Sequence, residues 1–150
     1  MRGLIALLAI IVGAAACSNR IPVPLEFAKP DTDFELNAVP NFKDARFDLQ
    51  LRSLSGVDLC IHSLQWPSPS GQVHFREGVV FAVIDEKYHD VRQRNLGSPG
   101  GRLRIEPSGR LEGFISFDEF PTAKFDDGSE TRLVFEVRPF WCPKGEVDDQ

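Results

Sequence analysis

The residues best able to do chemistry in this 150-residue chain are three histidines, three cysteines and a basic set dominated by arginine. A nucleophilic hydrolase needs a serine or cysteine activated by a histidine, which a carboxylate in turn orients. His62, His74 and His89 are dispersed, and no serine has the nucleophile-elbow pattern. His62 alternates with Cys60, Leu64 and Trp66, a setting for a satisfied polar residue packed on a strand. An enzyme or metal-handling protein, the alternative reading, would centre on His62. No two histidines have ligand spacing on one strand or turn. Asp118-Glu119 and Asp126-Asp127-Gly128-Ser129-Glu130 offer oxygen ligands without the spacing of a calcium loop, so they read as solvated turns. The expectation is no catalytic residue, no metal and no cofactor.

The arginines are a candidate for binding. Arg102, Arg104 and Arg110 flank an expected hairpin, and Arg132 and Arg138 fall on the last long strand at one polar parity. Five guanidinium groups on one face would hold carboxylates or phosphates bidentately, as in an acidic protein or a polyanionic envelope sugar. Glu106, Glu112 and Glu136 on neighbouring strands would instead make that face a set of cross-strand ion pairs. Phe114 and Phe120 either form a second apolar layer or expose a surface suited to a partner. A net charge of -5 excludes a basic nucleic-acid binder, and 42% hydrophobic residues exclude a disordered acidic chain.

The first residues carry an address. Arg2 precedes the apolar run from Gly3 to Gly13, and Ala14-Ala15-Ala16 lead into Cys17. A positive start, a short apolar stretch and small residues form a secretory signal peptide, and the run is shorter than the ~20 residues of a membrane span. Gly3 to Cys17 resembles the lipobox signal of bacterial lipoproteins, with Ala14 where that pattern usually has leucine. The resemblance implies diacylation of Cys17 and cleavage before it. Ser18, in place of aspartate, implies an outer-membrane destination facing the periplasm or the surface. With Cys17 lipidated, Cys60 and Cys142 remain as an even pair, and an oxidising periplasm favours their disulfide.

The elements that position these residues are strands. Phe47, Leu49 and Leu51 alternate with Arg46, Asp48, Gln50 and Arg52; Leu103 to Ile105, Leu111 to Phe117 and Leu133 to Val137 repeat the pattern. Val79 to Ile84 is apolar on both faces and suits a central strand. Phe34 to Leu36, Leu59 to Trp66 and Val73 to Phe75 bring the count to about eight. Turn chemistry separates them at 68–71, 97–101, 107–109 and 126–129, and only Tyr88 to Arg94 admits a helical turn. The expected fold is all-β, a single antiparallel β-sandwich, with a closed barrel as the alternative. The organisation reads as a signal peptide over 1–16, lipidated Cys17 with an extended Pro-containing tether over 17–33, the sandwich over 34–143 and an acidic tail over 144–150. Leu25 and Phe27 are apolar enough to pack back onto the domain. The function expected is a lipid-anchored, non-enzymatic module that meets the membrane through Cys17 and binds an envelope or protein partner. The alternative is an inhibitor of a hydrolase, lysozyme or protease, acting through a rigid loop at 97–101 or 121–130.

Overall fold

Residues 25–74, 80–94 and 100–143 are described by the computed structural model. The signal and Cys17, the tether up to residue 24, Phe75, Val79, most of the 97–101 loop and the acidic tail lie outside them. Among the described residues nine strands follow one another: β1 (Phe34–Asn41), β2 (Arg46–Ser53), β3 (Leu59–His62), β4 (Val80–Ile84), β5 (Lys87–Asp90), β6 (Arg102–Ile105), β7 (Arg110–Ser116), β8 (Thr131–Phe135) and β9 (Phe140–Trp141). They form three antiparallel sheets, ordered β1-β2-β7, β6-β3-β9 and β5-β4-β8, none closed into a barrel. The domain is all-β, as its alternation requires, and the three sheets share one core.

Strand β2 shows how the sequence builds this. Phe47, Leu49, Leu51 and Ser53 are buried, whereas Arg46, Asp48, Gln50 and Arg52 lie on the outer side. A period-two pattern assigns alternate residues to opposite faces of a sheet. The Phe47 ring packs edge-on to Phe117, Phe120 and Phe125 at 5.1, 5.8 and 5.7 Å, and Phe117 stacks on Phe125 at 3.9 Å. Gly113 on β7 leaves room for Trp66, since a Cβ there would come within 2.7 Å of the indole Nε1.

Several elements differ from expectation. Residues 87–90 extend as β5, whereas their sequence admits a helical turn. Asp85 and Glu86 both adopt left-handed backbone, with φ of 46° and 66°, and close a two-residue hairpin that fixes β5 on β4. The strand expected from Leu59 to Trp66 ends at His62 and turns tightly through Ser63–Gln65. Val73 is buried and His74 partly so, neither in a strand. No β6–β7 hairpin forms. Ser108 at φ 59° and the bond from Gly109 N–H to the Glu106 carbonyl (2.8 Å) turn the chain from one sheet to another.

Residues 26–33, expected in the tether, belong to the body. Ala28 N–H donates to the Pro139 carbonyl (2.9 Å), and Trp141 N–H donates to that of Glu26 (3.1 Å). Phe27 thereby pairs antiparallel with Phe140. On the other side of β9, Cys60 is bonded to Cys142 across a Cα separation of 5.1 Å. Closing a loop with a sequence separation of 82 stabilises the fold by ~4.5 kcal/mol in the chain-entropy treatment.

Candidate functional site

The five arginines do not form one face. Arg102 and Arg104 stand on β6, Arg110 on β7 and Arg132 on β8, strands of three different sheets, and Arg138 lies beyond β8. The Arg102 guanidinium sits 5.7 Å from the centroid of Phe140, and Arg104 pairs with Asp58. Arg110 pairs with Glu112 at 3.0 Å, both exposed, where solvent screening leaves little net energy. Arg132 borders a concavity with Glu86, Tyr88 and Glu130. Phe120 is 1% exposed and belongs to the core, so it offers no binding surface. Phe114 is partly buried, with the Arg46 guanidinium 4.9 Å from its ring centroid. Its ring also lies against Gly71, where a Cβ would come within 2.4 Å.

The histidines have distinct neighbours. His62 on β3 packs against Phe140 with ring centroids 5.0 Å apart. His89 on β5 shares a 3.1 Å hydrogen bond between Nδ1 and Thr122 Oγ1. Among the described residues, no three His, Cys, Asp or Glu side chains are grouped to hold a metal ion. Glu119 is buried and bonded through Oε1 to Arg94 Nη2 at 2.9 Å. This pair ties the chain after β5 to the short turn Phe117–Glu119. Arg92 N–H adds a contact to the Glu119 carbonyl at 2.5 Å.

Two concavities compare directly. One, about 560 Å³, lies on the outer face of β1-β2-β7, lined by Asn37, Arg46, Asp48, Gln50, Glu112 and Phe114 among others. Several of its polar groups are already paired. Arg46 Nε reaches Asp48 at 2.7 Å, and Asn41 Nδ2 reaches the other Asp48 oxygen at 2.8 Å. The second, about 580 Å³, opens between β1 and the end of β8. Phe34, Leu36, Phe135 and Val137 form its apolar lining, with Phe27, Ala28 and Pro30 at one side and Asp31, Glu136 and Arg138 supplying charge. Phe27 is 54% exposed there. A mostly apolar concavity with a few charged groups has the composition of a binding site. Its wall is held by the bond from Arg138 N–H to Gln65 Oε1 at 3.0 Å.

Of the expected surface residues, Arg138 alone borders this groove. The other lining residues fall on expected strands or in the stretch over 17–33, and strand parity does not say which of them meet. The one local signal is the apolar character of Phe27 within a Pro-containing stretch. Comparison of the chain with protein-family profiles, curated proteins and solved structures finds no match.

Proposed function

We propose that the chain is an exported, lipid-anchored protein of the bacterial envelope whose body is a non-enzymatic binding module. The observation that carries the binding role is the groove between β1 and the end of β8, apolar within and charged at its edge. The positive-apolar-small order from Arg2 to Cys17 supports the anchor. Residues 26–28 enter the body beside Cys142, so a pull on the anchor would reach β9 and the disulfide first.

Mass spectrometry of the mature N-terminus tests the anchor. Diacylglyceryl-Cys17 is expected, and Cys17→Ser should move the protein from the membrane to the soluble fraction. A free thiol on Cys17 would contradict the proposal.

A second reading, inhibition of a hydrolase by loop insertion, is supported by the preorganised loop at 121–130. Phe125 anchors it on Phe117, and Asp126 Oδ1 accepts from Gly128 N–H at 3.0 Å and Ser129 Oγ at 3.1 Å. Inhibition of lysozyme or a protease, lost in Asp126→Ala, would support this reading. No inhibition by the intact protein would exclude it for those enzymes.

A further inference from the structure

We propose that the concavity on the outer face of β1-β2-β7 binds an uncharged oligosaccharide. This site goes beyond the groove, which takes the other side of β1, and it is independent of the lipid anchor.

Alternation sets the face. Phe34 and Leu36 line the groove, whereas Asn37 and Val39 point to the opposite side of β1. Sheet register then lays two rows of side chains across three strands. Asn37 lies opposite Gln50, and Gln50 opposite Glu112; Val39 lies opposite Asp48, and Asp48 opposite Phe114. With strands about 4.8 Å apart, each row spans about 10 Å, the scale of a disaccharide. The concavity over them measures about 560 Å³.

The second row is fixed by its own contacts. Both Asp48 oxygens are taken, one by Arg46 Nε at 2.7 Å and the other by Asn41 Nδ2 at 2.8 Å. The Arg46 guanidinium lies 4.9 Å from the Phe114 ring centroid, and Gly71 backs that ring. The first row differs. Neither the Asn37 nor the Gln50 side-chain amide has a hydrogen bond among the described residues. Glu112 pairs along its own strand, through Oε1 to Arg110 Nε at 3.0 Å, and not across to Gln50. Its Oε2 has no partner among the described residues. In a face built only of cross-strand pairs, these opposed side chains would bond to one another.

These groups select the occupant. A side-chain amide both donates and accepts and a carboxylate oxygen accepts, so sugar hydroxyls, which do both, match all three. Val39, 51% exposed, and the partly buried Phe114 offer apolar patches to the C–H face of a sugar ring. An extended peptide would need free main-chain groups, and β2, at the centre, is bonded on both sides. Charge decides between neutral and ionic ligands. Glu35, Asp48 and Glu112 on this face are balanced by Arg46, Arg52 and Arg110. A balanced face draws neither a polyanion nor a polycation.

The test titrates the full chain, purified from cells, with chitotriose, cellotriose and maltotriose. At least one should shift the side-chain amide resonances of both Asn37 and Gln50, with a Kd between about 0.1 and 10 mM. Gln50→Ala should weaken that sugar about tenfold, and Val39→Ser about threefold. Both variants should keep the original denaturation midpoint, which separates lost binding from lost folding. Tyr88→Ser, on another sheet, should bind as the original does. The proposal is overturned if none of the three sugars moves these resonances at about 20 mM, or if Gln50→Ala binds as well as the original. Equal weakening by Tyr88→Ser would also overturn it, as would tighter binding of heparin than of any neutral sugar.

Discussion

At the disulfide end of the molecule, β9 has a neighbour on each side. Residues 26–28 bond to Pro139 and Trp141 on one side, and β3 pairs with Phe140 and Trp141 on the other. Phe140 is fully buried, and Cys60–Cys142 crosses the same place. At the other end of this segment, 135–138 and the start of β1 line a groove of about 580 Å³, and no main-chain ladder joins β1 to β8. The two regions share a continuous piece of chain, from Phe135 to Cys142, yet one is closed and the other open. Closure follows where a neighbouring strand supplies main-chain partners; the groove persists where β1 and β8 each have a partner only on their far side.

The contrast is broken most directly by removing the disulfide. Replacing Cys60 and Cys142 together by alanine should lower stability by about 4.5 kcal/mol, read as a lower denaturation midpoint with the groove residues still placed. Phe140→Ala should cost about 4 kcal/mol, because it empties a fully buried ring site at the closed end. Phe27→Ala, across the same bridge but 54% exposed, should cost less than about 1 kcal/mol by the same denaturation measurement.

Proline substitutions sharpen the comparison within β1 itself. Leu54 N–H donates to the Asp33 carbonyl and Asp85 N–H to that of Glu130. Alternation therefore turns Asn37 and Val39 toward β2, and Leu36, Ala38 and Leu133 away from their partner strands. Asn37→Pro removes a hydrogen bond to β2 and should cost about 2 kcal/mol. Ala38→Pro removes an edge-facing N–H and should change stability by less than about 1 kcal/mol, as proline is tolerated on sheet edges. Similar losses for the two variants would contradict the assigned directions. Glu136→Lys should leave the denaturation midpoint within about 0.5 kcal/mol of its original value, because the side chain is exposed and has no ion pair among the described residues.

The strands were legible wherever one face is buried and the other wet. Phe47, Leu49 and Leu51 announce β2, and the two-sided run ending at Ile84 announces the central strand β4. The β4–β5 hairpin was not legible, because Asp85-Glu86 adopts a left-handed turn without the Asn-Gly or Asp-Gly pair that usually marks one. Nor was the separation of the arginines. Parity places Arg104 and Arg110 on outer faces, but parity along a strand does not say which sheet the strand joins. The pairing of Cys60 with Cys142 followed from assigning Cys17 to the anchor, whereas the groove depends on which strand edges remain unpaired. That property belongs to sheet order and leaves no local mark on Leu36 or Phe135.

Residue-resolved amide exchange of the free protein tests the central contrast most directly. Asn37 and Val39, bonded to β2, should exchange slowly, as should Ala28 and Trp141 at the closed end. Leu36, Ala38 and Leu133, facing the open edges, should exchange at least about tenfold faster than their strand neighbours. Equal, strong protection along all of β1 and β8 would mean that the two edges are bonded, and it would contradict the account.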